Sequence, residues 1–197
     1  MSIPALLNVN QLAARKGAHE LEFAVKKVHS LDTSKGGPEG YLEAIVRRVE
    51  EMVIEEIRRF YPEDNFLSST TGSEVNNSNI TWVLKAIDGD TNFINGYPHF
   101  ALSLCSLIDE VPTTAVIIDP IRREEFSASK GSGGDLNNGK IRVSKQNGLS
   151  DSILAYSTSK EVVKDYVYDF EKTYKELANQ DLAIRNSGSI ALDLCYI

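Results

Sequence analysis

The segment of this sequence best suited to bind a ligand or to carry out catalysis is residues 82–93, WVLKAIDGDTNF. An apolar run of buried-strand type ends at Asp88 and Gly89, and a predicted helix then begins with Asp90 and Thr91. An acidic side chain at a strand end, beside free backbone N–H groups, can hold a divalent cation and a phosphate together. An isolated Asp-Gly pair is also a common turn, so Asp88 has a purely structural interpretation as well.

The rest of the sequence predicts the elements that position this segment. Apolar residues at helical spacing predict one helix within the first thirty residues and a second over residues 45–60, separated by a loop at 34–40. A further helical stripe covers residues 163–177, and Ser189 is a predicted N-cap for a final helix that runs to residue 197. The predicted strands are residues 65–67, 80–87, 101–108, 113–118, 124–129, 141–144, 153–157 and 182–185, with turns at 130–134 and 137–139. Helices followed by mostly antiparallel strands and then mixed elements predict a layered α+β sandwich.

Composition excludes several classes of protein. The chain has 197 residues, of which 42% are hydrophobic and 25% charged, and these values exclude intrinsic disorder, a collagen-like repeat and a disulfide scaffold. The net charge is −7, so direct nucleic-acid binding is not expected. Cys105 and Cys195 lie in apolar runs and are predicted to be small buried side chains in a reducing compartment. No apolar run approaches roughly 18 residues and no signal-peptide pattern is present, so we expect a cytoplasmic protein without membrane contact.

Several motifs along the chain resemble the inositol monophosphatase family, and its bacterial SuhB-like branch in particular. They are residues 82–93, the sequence DPIRREEF at 119–126 and the sequence RNSGSIALDL at 185–194, and the resemblance extends over residues 5–197. The family consists of Mg²⁺-dependent phosphomonoesterases, so the resemblance implies an αβαβα sandwich, a magnesium cofactor and a homodimer.

The end of the sequence is expected to be incomplete relative to that family. Residues 191–197, ALDLCYI, are strongly apolar and have no polar tail, which indicates either a truncation or another surface that covers them. The resemblance also implies that the chain stops before the family's W-D-x-A-A-G segment. We therefore expect an N-terminal α+β part with the metal and phosphate site at residues 1–145, and a partial C-terminal α/β part at residues 146–197.

The resemblance fails at the positions where the family binds metal. The family's Glu-Glu pair at a strand end falls on Ser69 and Thr70, and its first aspartate falls on Lys85, whereas Asp88 is retained. Mg²⁺ prefers hard oxygen ligands with carboxylate charge, and a neutral hydroxyl is a much weaker ligand. An ammonium group near the site would also repel a divalent cation. We therefore expect magnesium binding to be weak or absent, and hypothesise that the ammonium of Lys85 pairs with Asp88 in place of the metal.

The positions implied to carry catalysis also differ from the family. The threonine that follows the glycine is Asp90 here, although Thr91 matches, and the helical pair that helps to activate water falls on or near Glu43 and Val46. Phosphate would dock on the N–H groups of Gly89, Asp90 and Thr91. A carboxylate at position 90 can satisfy those donors itself and repel phosphate, or it can be an ordinary residue of a helix N-terminus.

The substrate side of the site is better preserved. Gly188, Ser189 and Ile190 match the family segment that contacts the inositol or sugar, although the third residue is small in the family and is isoleucine here. The same residues also fit a tight turn followed by a helix cap, and that interpretation is equally compatible with the sequence.

Three functions are compatible with these features. The first is a catalytically impaired pseudo-phosphatase that acts as a SuhB-like regulatory or scaffold protein, with a transcription or ribosomal-RNA-related protein as partner. The second is an active Mg²⁺-dependent phosphomonoesterase on inositol or sugar phosphates. The third is a sensor that binds a polyol phosphate without hydrolysing it.

Overall fold

The computed structural model describes residues 2–30, 37–149, 152–156, 167–179 and 182–197. The predicted loop at residues 34–36, the end of the predicted strand at residue 157 and the start of the predicted helix at residues 163–166 lie outside these ranges. The helices are α1 (Ile3–Val25), a 3₁₀ turn (Val28–Ser30), α2 (Gly37–Arg58), α3 (Asp90–Ile94), α4 (Val167–Ala178) and α5 (Ile190–Cys195). The strands are β1 (Asn65–Ser68), β2 (Ser73–Glu74), β3 (Ile80–Asp88), β4 (Ala101–Ile108), β5 (Val111–Asp119), β6 (Glu124–Ser129), β7 (Gly133–Leu136), β8 (Gly139–Lys140), β9 (Ile153–Ala155) and β10 (Ala183–Arg185).

The first eight strands form one sheet in the order β2-β1-β3-β4-β5-β6-β7-β8. Neighbouring strands are antiparallel except for β1 and β3, which run parallel with Phe66 opposite Trp82 and Ser68 opposite Leu84. Because β1 ends at Ser68 opposite Leu84 while β3 continues to Asp88, the residues that follow β1 lie beside the last residues of β3, beginning at Lys85. Strands β9 and β10 form a separate parallel pair.

The main core lies between the sheet and the two long helices. Helix α1 packs against α2 and against β4, β5 and β6, while α2 also packs against β3. Their apolar faces carry the spacing expected of amphipathic helices, and Leu21, Val53 and Trp82 are fully buried between the layers. This packing fixes the carboxyl end of β3 relative to α2.

Helix α5 packs on the opposite face of the sheet. Leu192 is fully buried there against Ala101 of β4 and Phe126 of β6. An apolar cavity of about 550 Å³ lies beside this contact, bounded by Leu136 and by Tyr196 among other residues. The sheet is therefore covered by helices on both faces in the described part of the chain, as a layered sandwich requires.

Three local predictions from sequence were wrong or only partly right. Residues 141–144 form no strand, and the predicted turn at 130–134 overlaps β7, because the glycines of this segment pair with β6. The turn predicted at 137–139 is present at residues 137–138 between β7 and β8, and Gly139 already belongs to β8. Helix α2 begins at Gly37, inside the predicted loop.

The predicted burial of the two cysteines is also only partly right. Cys105 and Cys195 are free thiols, and both are partly exposed rather than buried. Desolvation nevertheless raises the pKa of both thiols, that of Cys195 to about 11, so both are protonated at neutral pH. Within the described residues, no helix combines the length and the apolar character that a membrane crossing requires.

Candidate functional site

The candidate site lies at the carboxyl end of β3, where three segments of the chain meet. The first is the end of β1, the second is the end of β3 with the start of α3, and the third is the segment before α5. The parallel pairing of β1 and β3 brings the first two together. Hydrogen bonds between Asp88 and the segment before α5 bring in the third.

Asp88 is the buried centre of this arrangement. Its Oδ2 accepts hydrogen bonds from the Ser189 hydroxyl and from the Ala191 backbone N–H, both at 2.8 Å. Its Oδ1 lies 3.6 Å from the ammonium nitrogen of Lys85. The Lys85 side chain is 54% exposed whereas that of Asp88 is only 7% exposed, so the lysine reaches the carboxylate from solvent. The ion pair expected from the sequence is present.

Gly89 allows the chain to turn sharply after Asp88. Its φ of 104° lies in the left-handed region, and a Cβ at this position would lie 3.1 Å from the carbonyl oxygen of His99 and 3.3 Å from that of Gly188. The Asn92 side chain donates to the carbonyl oxygens of His99, at 2.6 Å, and Ser187, at 2.8 Å. The hydrogen bonds of Asn92 and the close approach at Gly89 together join α3 to the segment before α5.

Ser189 connects Asp88 to helix α5. Its hydroxyl donates to Asp88 and accepts from the backbone N–H of Leu192, as an N-cap does. The predicted cap is confirmed. The Ile190 side chain is about half exposed at the start of the helix, while Gly188 lies against Asn92.

Glu50 holds the segment at and after the end of β1, and it was not predicted from the sequence. This carboxylate of α2 is fully buried and accepts hydrogen bonds from the Ser68 hydroxyl at 3.1 Å and from the Ser69 hydroxyl at 2.9 Å. It also accepts from the backbone N–H groups of Thr70, at 3.1 Å, and Thr71, at 2.7 Å. Ser69, expected at a metal-ligand position, therefore donates to a carboxylate of its own chain.

The remaining predicted residues surround the site without adding a buried acid. Asp90 and Thr91 are exposed in the first turn of α3. Partial desolvation raises the pKa of the Asp90 carboxyl, with Lys85 acting against this shift and Asp88 adding to it. Glu43 is exposed and pairs with Arg47 at 3.8 Å, and Val46 is buried in the core.

The donor set does not fit a magnesium site. Across the ranges that the structure describes, no three His, Cys, Asp or Glu side chains are grouped so that they could hold a metal ion. Both oxygens of Asp88 already have partners within the chain, one of which is a cation. Mg²⁺ requires about six oxygen ligands in near-octahedral geometry.

The sequence of this chain matches a known protein family over nearly its whole length. The sequence model of the inositol monophosphatase family matches residues 5–197. The chain belongs to the inositol monophosphatase family. The resemblance described from the motifs is therefore confirmed.

Relatives within the inositol monophosphatase family include proteins named Nus factor SuhB. The one from Xylella fastidiosa is 33% identical over 197 residues, which cover 100% of this chain and 70% of the relative. The one from Escherichia coli strain K12 is 31% identical over 196 residues, which cover 98% of this chain and 72% of the relative. These similarities extend over nearly the whole chain and support a SuhB-like member of the family.

Solved structures of inositol monophosphatase family members share this fold. The crystal structure of the extragenic suppressor protein suhB from Bartonella henselae has a TM-score of 0.81 and 26% identity, covering 98% of this chain and 73% of that structure. The inositol monophosphatase from Anabaena has a TM-score of 0.83 and 28% identity, covering 100% of this chain and 72% of that structure. The predicted α+β layered sandwich is confirmed by these similarities.

Proposed function

We propose that this chain is a member of the inositol monophosphatase family that does not hydrolyse phosphate monoesters and acts instead through protein contacts. The observation that carries this proposal is the ion pair of 3.6 Å between Lys85 and Asp88. Metal-assisted phosphoryl transfer needs cations that neutralise the phosphate and activate the attacking water. A site whose buried carboxylate already holds an ammonium has little negative charge left to bind them.

Electrostatics gives the scale of this effect. Two unit charges about 4 Å apart interact by about 1 kcal/mol in water and by roughly 4 kcal/mol at an effective dielectric constant of about 20, and the 54% exposure of Lys85 places its pair with Asp88 toward the lower of these values. The half-exposed Lys85 side chain would have to swing away from Asp88 before a divalent cation could bind. Of the other carboxylates, Asp90 is exposed in the first turn of α3, where it interacts with both Lys85 and Asp88, and Glu50 is already bonded to Ser69. No group of three potential metal ligands is present in the described part of the chain.

Protein contacts are the proposed basis of the function. Relatives at about one third identity carry the name Nus factor SuhB, which supports a transcription-related protein as the partner. The net charge of −7 favours contact with a protein over direct contact with nucleic acid. We include a homodimer and a cytoplasmic location in this proposal.

Phosphate release tests the proposal. With inositol 1-phosphate or a sugar phosphate as substrate, we expect no release above the buffer rate at any Mg²⁺ concentration up to about 10 mM, which exceeds the Kd of about 1 mM of even weak functional divalent-cation sites. The inositol monophosphatase from Anabaena serves as the positive control. Mg²⁺-dependent release that is lost in Asp88→Ala would establish the active phosphomonoesterase instead. Binding of a transcription factor that is unchanged by Asp88→Ala would support the scaffold role.

A polyol-phosphate sensor is the second candidate. It is favoured by the position of Gly188 and Ile190, which flank Ser189 beside Asp88 with the Ile190 side chain half exposed. Calorimetry with inositol and inositol 1-phosphate distinguishes it from the scaffold. Saturable binding without turnover would favour the sensor.

A further inference from the structure

We infer that the Lys85 ammonium is the resident cation of this site, and that Lys85 and Glu50 together allow this edge of the sheet to fold without a metal ion. This inference deepens the proposed function and rests on it. The two side chains have opposite charges. Lys85 is the counter-charge of Asp88, and Glu50 accepts the hydrogen bonds of the segment at the end of β1.

Lys85 satisfies the acidic side. Asp88 is buried at the end of β3, and a buried carboxylate needs hydrogen-bond donors or a counter-charge. Ser189 and Ala191 supply two donors to Oδ2, and Lys85 supplies the charge next to Oδ1. A divalent cation at Oδ1 would therefore have to displace the ammonium.

Glu50 satisfies the other side. The segment after β1 presents two hydroxyl and two backbone N–H donors, and all four point to this one buried carboxylate. The Ser69 hydroxyl is used as a donor to Glu50. The segment is thereby held in place by α2, with no demand for a metal ligand at position 69.

The register of the sheet specifies which substitutions would reverse this arrangement. Ser68 lies opposite Leu84 in the parallel pair, so positions 69 and 85 follow side by side at the same edge. Ser69 and Lys85 are both exposed, so each position has room for a carboxylate. Acidic residues at 69 and 85 would give this edge three carboxylates together with Asp88. Hard divalent cations prefer such a donor set.

The experiment compares thermal unfolding with and without about 10 mM MgCl₂, together with calorimetric titration of MgCl₂ alone, since a ligand that binds the native state raises Tm. The variants are Lys85→Asp and the double variant Ser69→Glu/Lys85→Asp. Lys140→Asp is the matched control, because Lys140 also pairs with an aspartate, Asp135 at 2.8 Å, and its side chain is 55% exposed against 54% for Lys85.

We expect Mg²⁺ to leave the Tm of the wild type and of Lys140→Asp unchanged. Lys85→Asp should melt at a lower temperature without Mg²⁺, because its new carboxylate faces Asp88, and Mg²⁺ should reverse that loss. The double variant should bind Mg²⁺ with a Kd of about 1 mM, so that about 10 mM MgCl₂ multiplies its folded-to-unfolded ratio by about 11, which is about 1.4 kcal/mol. That gain corresponds to a rise in Tm of roughly 3–6 °C for a chain of this size.

Two results would overturn the inference. One is wild-type binding of Mg²⁺ with a Kd below about 1 mM, a range typical of functional divalent-cation sites. The other is a folded Lys85→Asp protein whose Tm does not respond to Mg²⁺, and this single variant decides the matter if the double variant does not fold. Hydrolysis by a wild type that binds no Mg²⁺ would instead overturn only the proposed function.

Discussion

Replacement of Glu50 by alanine is expected to lower the free energy of unfolding by about 4 kcal/mol, because it removes the fully buried acceptor of four hydrogen bonds. The Ser68 and Ser69 hydroxyls and the backbone N–H groups of Thr70 and Thr71 all donate to this carboxylate, which is fully buried. Whole domains have only about 5–15 kcal/mol of stability, so the loss should be evident as a large decrease in the urea midpoint.

Two further variants separate the hydrogen bonds of Glu50 from the general effect of changing α2. Glu50→Gln keeps one acceptor oxygen and should lose roughly half as much stability as Glu50→Ala. Glu51→Ala changes the next residue of the same helix, which is exposed, and should stay within about 0.5 kcal/mol of the wild type. Equal stability of Glu50→Ala and Glu51→Ala would show that the segment after β1 does not depend on Glu50.

Asp88→Ala is expected to lower the free energy of unfolding by about 3 kcal/mol, since two charge-assisted hydrogen bonds are lost at a buried position. The loss should be concentrated at α5, because Ser189 and Ala191 at its start are the donors. Faster amide hydrogen exchange over Ile190–Cys195, measured together with urea unfolding, would report it.

Asp88→Asn is the informative control for this prediction. A single oxygen, Oδ2, accepts both hydrogen bonds, so an asparagine can keep both while losing the ion pair with Lys85. We expect Asp88→Asn to cost less than about 1 kcal/mol, because an exposed lysine contributes little to stability. Equal losses for the alanine and asparagine variants would contradict the assigned role of Oδ2.

The centre of the site could be predicted because its signals are local. An apolar run that ends in Asp88-Gly89 specifies a strand followed by a sharp turn, and the structure has both. Ser189 directly before an apolar helix specifies an N-cap, which is also present. The ion pair between Lys85 and Asp88 was expected for a different reason, because the family resemblance places Lys85 at a position where the family has a metal-binding aspartate.

The role of Glu50 was not predicted, because its partners lie 18–21 residues away in the sequence. One signal was nevertheless available. Glu50 lies three residues before Val53 and four after Val46, on the buried stripe of α2, and an acidic residue on such a stripe needs buried donors. The identity of those donors depends on how α2 packs against the sheet.

The last strands of the large sheet were missed for a different reason. Gly133 and Gly134 favour a turn when considered locally, but they pair with Ser129 and Ala128 of β6. Residues 141–144 alternate as a strand would but form none, because a strand also requires a partner. Pairing between strands, rather than local propensity, decided both outcomes.

A crystal structure of the protein grown in MnCl₂, with anomalous data collected near the manganese edge, would show whether Asp88 binds a divalent cation, because Mn²⁺ binds the same oxygen donors as Mg²⁺. We expect no anomalous peak within bonding distance of Asp88, with Lys85 still in ion-pair contact with Oδ1. A manganese peak coordinated by Asp88, with the Lys85 side chain directed into solvent, would contradict this expectation.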